Sequence, residues 1–270
     1  MQIRFNDTSH VNIFDTLFGR THRMSKNESQ EIAYRISSDV PDYIRTAVED
    51  ESRPAADRNA DASRKPAELM TFAGIRPGNR VADLIPGRGY LTRIFSGVVG
   101  DDGKVIAIYP TLFADAKPAN VDALRALVAE PRYSNASLHV QAIERVAVDE
   151  PVDFAWISLN YHDVFGRVGE ESAAQLAAAV FNALKPGGVF IVIDHAAKPG
   201  RGGRDANTLH RIEAATVIEQ ALAAGFLLED RSDALANNDD NHTEPVFTAE
   251  LGGHTDKFVL KFRKPATRDS

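Results

Sequence analysis

The stretch VADLIPGRGYLTRIF, residues 81–95, places an apolar strand, an acid, two glycines and the start of a helix in one run. Glycine at positions 87 and 89 lets the main chain approach a ligand without an intervening Cβ. The helix that follows presents unpaired N–H groups at its N-terminus. Open α/β sheets bind ligands where a strand turns into a helix in this way. The stretch therefore predicts a ligand site between Asp83 and Tyr90.

Strand-like and helix-like stretches alternate along the chain after residue 77. The predicted strands are 80–85, 104–109, 137–142, 152–159, 189–194, 226–235 and 257–264, and the predicted helices are 90–98, 119–129, 170–184 and 213–224. This alternation predicts right-handed crossovers and a parallel sheet covered on both faces. Because only a polar loop separates the last two strands, we expect them to pair antiparallel. The predicted fold class is α/β, a Rossmann-like doubly wound, mostly parallel seven-stranded sheet with an antiparallel last strand.

Glycine and proline mark the predicted turns between these elements. Lys185-Pro186-Gly187-Gly188 predicts a turn between the helix at 170–184 and the fifth strand. Gly225 is a suitable residue to end the helix at 213–224.

Composition excludes several classes of protein. The chain has 270 residues, of which 43% are apolar and 26% charged, enough to bury the core of one large domain. It has no cysteine, which excludes disulfides, thiolate zinc sites and cysteine nucleophiles. The net charge of -7 argues against nucleic acid as the main partner. No apolar run is long enough for a membrane span and no signal-peptide pattern is present, so we expect a cytoplasmic protein without a membrane partner.

Three regions are predicted. Residues 1–66 form an N-terminal extension, partly disordered and then helical as a cap; residues 67–265 form the main domain; residues 266–270 are a tail. Charges of both signs alternate at helical intervals over residues 53–65, which predicts a solvated helix face with pairs four residues apart. The alternative is a lid over the opening of the main domain.

Five segments together resemble a class I S-adenosylmethionine-dependent methyltransferase. They are residues 72–110, 152–164, 183–197, 209–226 and 257–264. More narrowly, the chain resembles a bacterial group of predicted methyltransferases with three motifs, D-L-x-P-G-x-G-Y, N-Y-H-D and D-D-x-H-T. Here these begin at Asp83, Asn160 and Asp239. The resemblance covers roughly residues 45–265, and it implies a methyltransferase fold for the main domain.

The resemblance implies S-adenosylmethionine as the cofactor. In the superfamily, the acid that ends the first strand and the glycines after it hold the amino-acid end of the cofactor. The predicted cofactor-binding residues are accordingly Asp83, Pro86, Gly87, Gly89, Tyr90, Tyr109 and Asn160.

Three positions depart from the usual pattern of that superfamily. Ile85 occupies the place of a first glycine. Tyr109 stands where an acid normally chelates the ribose hydroxyls, and a phenol makes fewer such hydrogen bonds. Near the end of the third strand, only Glu144 is available for the adenine amine. The architecture therefore supports the cofactor more firmly than the single contacts do.

Asn160-Tyr161-His162-Asp163 follows the fourth strand, whose carboxyl end faces the transferable methyl in this fold. Methyl transfer to a hydroxyl or an amine needs a base to remove the acceptor's proton. His162, with an ordinary pKa near 6.5, is the predicted base, and Asp163 would orient it or stabilise its charged form. The alternative is that both residues only cap the strand end. We expect a small-molecule acceptor, and we leave a homodimer open.

Other functions compete with methyl transfer. Ile85 and Tyr109 are compatible with a non-catalytic nucleoside-binding or regulatory module. A nicotinamide-dependent oxidoreductase would need glycine or alanine where Thr92 stands.

Histidines and acids in the loops of one sheet edge raise the alternative of a metal site. His162, His195, His210 and His242 lie there together with acids such as Asp194, and such ligands suit zinc, iron or manganese. No H-x-x-x-H spacing occurs, so we expect no metal, and the roles of His195, His210 and His242 stay open. The basic loop with Arg201 and Arg204 could bind an anionic acceptor or form a plain surface turn.

Overall fold

Seven strands form one mixed sheet in the order β3-β2-β1-β4-β5-β7-β6. The strands are β1 Arg80–Leu84, β2 Lys104–Pro110, β3 Ala136–Gln141, β4 Val152–Ser158, β5 Leu184–His195, β6 Leu227–Ser232 and β7 Lys257–Arg263. The first five strands pair in parallel, whereas β7 runs antiparallel to both β5 and β6. The predicted fold class and the antiparallel pairing of the last two strands are confirmed.

The computed structural model describes residues 34–248, 251 and 253–266. The predicted disorder near the N-terminus and residues 267–270 of the predicted tail lie outside the described residues. Residues 34–66 belong to the same compact unit as the sheet, and the predicted boundary at residue 66 stays a prediction. Within the described part of the chain, no helix has the length and apolar character needed to cross a membrane.

Nine α-helices accompany the sheet in the described residues. They are α1 Asp42–Glu49, α2 Ala55–Arg64, α3 Pro66–Ala73, α4 Tyr90–Val99, α5 Thr111–Ala116, α6 Pro118–Ala129, α7 Tyr161–Asp163, α8 Glu170–Ala183 and α9 Ala214–Ala223. The short helices α5 and α7 were not predicted. Both are too short to show a clear helical period in the sequence.

The sheet is covered on both faces, as alternating strands and helices require. On one face, Ile44 of α1 and Phe95 of α4 belong to the apolar cluster that contains Trp156 of β4. The opposite face packs against α8 and α9 through residues such as Leu176 and Val217. Trp156 is fully buried, and its ring meets that of Phe95 edge-on at 5.4 Å between centroids. Trp156 is therefore a core residue of the sheet.

The turn predicted at residues 185–188 is instead the beginning of β5. Gly187 has φ of 77°, and the pairing of β4 with β5 shifts between Val152 and Phe154. The Gly187 N–H donates to the Lys264 carbonyl at 3.0 Å. Because the neighbouring chain satisfies this backbone, glycine and proline bend a long strand here instead of ending it.

A buried ion pair attaches α2 to the rest of the domain. The Arg53 guanidinium donates two hydrogen bonds of 2.9 Å to the Asp61 carboxylate, and both residues are almost fully buried. The Tyr90 hydroxyl, on α4, donates to the same carboxylate at 2.7 Å. The predicted solvated face is therefore wrong for Arg53 and Asp61: the spacing of charges was that of a solvated helix, but these two charges pair in the interior.

Loss of this pair should destabilise the protein strongly. Asp61→Asn leaves the buried Arg53 without its counter-charge, and we expect the free energy of unfolding to fall by about 3–5 kcal/mol. The matched control is Asp122→Asn, which removes an exposed pair with Arg125 and should cost about 0–1 kcal/mol. Urea unfolding of both variants measures the difference, and equal losses would contradict the structural role of Asp61.

Candidate active site

Left-handed backbone shapes the turn between β1 and α4. Ile85 has φ of 55°, Gly87 of 60° and Gly89 of 88°. A Cβ added to Gly87 would meet no atom within 4 Å, whereas one added to Gly89 would lie 2.4 Å from a methyl of Leu127. Glycine at 89 thus allows close packing against α6, and glycine at 87 leaves main chain exposed to open space.

Two neighbouring cavities lie at this turn. The larger has a volume of about 380 Å³, and the smaller of about 160 Å³. Ile85, Gly87 and Asn160 line both. Pockets for small molecules generally span roughly 300–1,000 Å³. Of these two cavities, only the larger reaches that range. The turn is not plugged by its own side chains.

The predicted cofactor residues divide between the two cavities. Asp83, Pro86, Gly87, Tyr90 and Asn160 line the larger one. The smaller one is lined by Gly87 and Asn160 again, together with Tyr109. Gly89 and Glu144 line neither of these cavities. Helix α2 contributes to the larger cavity through Ala56, Asp57, Ala60 and Arg64.

Asp83 is a buried carboxylate at the wall of the larger cavity. It is 2% exposed, and the Thr92 hydroxyl donates to its Oδ2 at 2.7 Å. Burial raises the pKa of Asp83 to about 7, although the Thr92 hydrogen bond acts in the opposite direction. Thr92 was considered in the sequence only as a departure from a dinucleotide motif. Its position one helical turn after Gly89 puts its hydroxyl on the inner side of α4, and that spacing could have indicated the contact.

The two predicted tyrosines already have partners in the protein. The Tyr90 hydroxyl is bound to Asp61, and the Arg64 guanidinium lies 4.5 Å from the Tyr90 ring centroid. The Tyr109 hydroxyl accepts a hydrogen bond of 3.0 Å from the Asn120 amide. That bond leaves the hydroxyl proton of Tyr109 available to a ligand in the smaller cavity.

Asn160-Tyr161-His162-Asp163 leaves β4 through Leu159, whose φ is 58°. Helix α7 begins at Tyr161, and a π-helical turn at Val164–Val168 follows it. Single π turns often occur at functional sites. The Tyr161 hydroxyl donates to the Gln220 side chain at 2.7 Å inside the core, so Tyr161 supports the fold.

His162 is oriented by Asp194, the last residue but one of β5. Its Nδ1 lies 2.7 Å from Asp194 Oδ1, and its backbone N–H donates to Asp194 Oδ2 at 2.8 Å. Asp163, the predicted orienting residue, lies 3.8 Å from Nε2 on the other side of the ring. The sequence could not separate these two acids, because one is adjacent in the chain and the other only in space.

Charge and burial oppose each other in this pair. Burial acts to lower the pKa of His162, but Asp194 outweighs it, and the pKa is raised above its ordinary value. Burial likewise acts to raise the pKa of Asp194, while His162 holds it below its ordinary value. Both shifts favour the charged pair.

The remaining histidines have separate environments. His195 Nδ1 lies 2.7 Å from the Thr255 hydroxyl, and burial lowers the pKa of His195 to about 3. His210 Nδ1 lies 3.7 Å from an oxygen of Asp163, and its ring meets that of His162 edge-on. His242 is 2.9 Å from the Asp256 carboxylate.

The basic loop is held by its own charges. Arg201 donates two hydrogen bonds to Asp205, of 2.8 and 2.6 Å, and Arg204 donates to backbone carbonyls of the same loop. These contacts favour the interpretation as a surface turn.

Several solved structures share this architecture. A SAM-dependent methyltransferase from Aquifex aeolicus superposes with a TM-score of 0.55 at 15% identity, over 77% of this chain and 95% of that one. The chain has the class I methyltransferase fold. The [4+2]-cyclase SpnF shares this fold, with a TM-score of 0.54 at 18% identity over 81% of this chain and 85% of that one.

A curated relative covers part of this methyltransferase fold. The ubiquinone/menaquinone biosynthesis C-methyltransferase UbiE of Ectopseudomonas mendocina (strain ymp) is 31% identical over 133 residues, 48% of this chain and 47% of the relative. The chain thus spans about half the length of the curated relatives it matches. No protein-family model matches the chain. The narrower motif group stays a prediction.

The raised pKa of Asp83 predicts a stability that depends on pH. Between its unfolded value of about 4 and its folded value of about 7, the folded protein retains a proton that the unfolded chain has lost, so this residue's contribution to stability decreases as pH rises through that window. We expect Asp83→Asn to raise the melting temperature of the ligand-free protein at pH 8 by a few degrees and to have little effect at pH 5. Thermal unfolding at both pH values measures this. A lower melting temperature at pH 8 would show that the carboxylate stabilises the fold.

Proposed function

We propose that this protein transfers a methyl group from S-adenosylmethionine to a small-molecule acceptor. The observation that supports this most directly is the pair of adjoining cavities at the end of β1, where Asp83 and Gly87 form the wall. The names of the Aquifex protein and of UbiE add support, since both are methyltransferases. The fold alone is insufficient, because SpnF is named as a cyclase.

The wall of these cavities fits a cofactor with a cationic amino-acid end. Asp83 offers a buried carboxylate that Thr92 binds through one oxygen, and a cationic ligand beside it would favour its ionised form. Gly87 keeps the floor free of a Cβ. Tyr109 and Asn120 line the smaller cavity, where they offer hydroxyl and amide groups for a ribose. We therefore assign the amino-acid end to the larger cavity and the nucleoside to the smaller one.

S-adenosylmethionine supplies an electrophilic methyl on a sulfonium. The protein's task is to hold an acceptor in line with that methyl and to remove the acceptor's proton. His162 is the proposed base, with Asp194 as the residue that orients its ring. Asp163, which lines the smaller cavity, would stabilise the charged imidazole from the Nε2 side.

The surroundings of the larger cavity favour a small acceptor. Helix α2 lies over it through Ala56, Ala60 and Arg64, so a bulky polymer would have to displace that helix. The net charge of -7 further opposes a nucleic-acid acceptor. A homodimer and a cytoplasmic location stay predictions of the sequence.

A non-catalytic nucleoside-binding module is the second candidate. It is favoured by the burial of His162, which is 2% exposed and lines neither cavity. Such a module would bind the nucleoside without turnover.

Cofactor binding and turnover test these candidates separately. We expect calorimetry to detect S-adenosylhomocysteine binding, and Asp83→Ala to abolish it. His162→Gln should retain that binding, while labelled methyl transfer in a metabolite screen should fall by about 10²–10⁴-fold, since a lost general base costs that much. His139→Gln, on β3, is the matched control. Binding without any transfer supports the module, and absence of binding at millimolar ligand contradicts the cofactor assignment.

A further inference from the structure

We infer that His162, Asp163 and His210 form a binding site for a divalent transition-metal ion. Each residue offers one ligand atom, and the three atoms lie within 4.8 Å of one another. The site draws on two separate parts of the chain, α7 and the loop before α9. No spacing within one segment could therefore indicate it.

Two imidazole nitrogens point into this cluster without a partner. Among the described residues, His162 Nε2 and His210 Nδ1 are both buried and make no hydrogen bond. The nearest carboxylate oxygens are those of Asp163, at 3.8 and 3.7 Å, beyond hydrogen-bond distance. A buried polar atom without a partner costs about 1–3 kcal/mol, so an occupant that binds both nitrogens would be strongly favoured.

Asp194 gives His162 the arrangement of a metal-bound histidine. Such histidines commonly donate their other ring N–H to a carboxylate, which fixes the tautomer and makes the ligand more basic. The 2.7 Å contact between Nδ1 and Asp194 is a contact of that kind, and it directs Nε2 towards Asp163 and His210. His195 is not part of the cluster, whose three ligand atoms belong to His162, Asp163 and His210.

The donor set determines the class of ion. Two imidazoles and one carboxylate suit zinc, iron, cobalt or manganese. They exclude an ion that binds only oxygen ligands. At metal–ligand distances near 2.0–2.1 Å, neighbouring donors would lie about 3–3.4 Å apart, so ligand atoms that lie within 4.8 Å of one another must approach by up to roughly 1.5 Å as the ion binds. His162 must lose any proton on Nε2 to solvent as the ion binds.

Arg167 is the nearest competing cation. Its Nε donates to Asp163 Oδ1 at 2.7 Å, and its side chain is 48% exposed. Asp163 Oδ2 remains available to an ion while that bond is kept.

The ion would connect the buried His162 to the cavity. Asp163 lines the smaller cavity, and three protein ligands leave open coordination positions, as in catalytic metal sites. On the proposed function, an acceptor oxygen bound to the ion would release its proton to solvent more readily, and His162 would then hold the ion; without the ion, Nε2 of His162 would take that proton as the base. The metal site itself does not depend on methyl transfer.

Metal titration of the full chain, purified without a polyhistidine tag and dialysed against a chelator, tests the inference. We expect one equivalent of Zn(II) by calorimetry and a Co(II) complex with visible absorption. His162→Gln, Asp163→Asn and His210→Gln should each weaken binding by more than about 100-fold, and Asp194→Asn by about 10–100-fold. His242→Gln, which alters a histidine bound to Asp256, is the matched control and should leave the affinity unchanged.

Each contrary outcome has a definite meaning. Absence of binding, or binding that all three ligand variants retain, overturns the site, and the cluster then holds water. Circular dichroism checks the folding of each variant. His210 is the most exposed of the three ligands, so His210→Gln keeps the test valid if the other variants unfold. Calorimetry with S-adenosylhomocysteine in parallel separates the proposals, because cofactor binding without metal binding overturns only the metal site.

Discussion

The buried carboxylate of Asp194 is the group on which the candidate catalytic site depends. It is fully buried at the end of β5, where an uncompensated charge would be very costly. The His162 ring, the His162 backbone N–H and the His195 backbone N–H compensate it at 2.7, 2.8 and 2.8 Å. Because two of these donors belong to the segment after β4, the carboxylate ties that segment to the neighbouring strand. The orientation of His162 follows from the need to neutralise a buried charge.

A second constraint opens the space beside this pair. The neighbouring strands β1 and β4 each leave the sheet through a left-handed residue that is not glycine, Ile85 with φ of 55° and Leu159 with φ of 58°. Such conformations cost on the order of 1–3 kcal/mol each and persist only where the surrounding structure enforces them. Both residues line the larger cavity. The chain after β1 continues into α4 on one face and the chain after β4 leads to α8 on the other, so a cleft opens between the two strand ends.

Local patterns in the sequence were sufficient for the fold but only partly for the site. Alternating apolar strands such as residues 104–109 predicted β2 within a residue, because burial on both faces leaves an unmistakable apolar run. The glycines at 87 and 89 likewise indicated the cavity, because they mark a local backbone turn that a sequence can show directly. The contacts that define the site were not accessible in this way. Asp194 is 32 residues from His162, and nothing in the local sequence distinguishes it from the adjacent Asp163. Burial of the Arg53 and Asp61 pair was hidden by charge spacing typical of an exposed helix.

Helix α2 and the glycine turn before α4 are coupled through the buried carboxylate of Asp61. Asp61 of α2 accepts from Arg53 and from Tyr90, and Tyr90 is the first residue of α4 after Gly89. Moving α2 away from the larger cavity would break the Tyr90 bond, and any motion that separated Asp61 from Arg53 would leave a buried charge unpaired at a cost of about 3–5 kcal/mol. The cavity is therefore formed before a ligand arrives, and little binding energy is spent on ordering its walls. The sheet is common to proteins that are named for different reactions. On the proposed function, selectivity for the acceptor would therefore depend on α2 and on the side chains after β4, both of which lie outside the sheet.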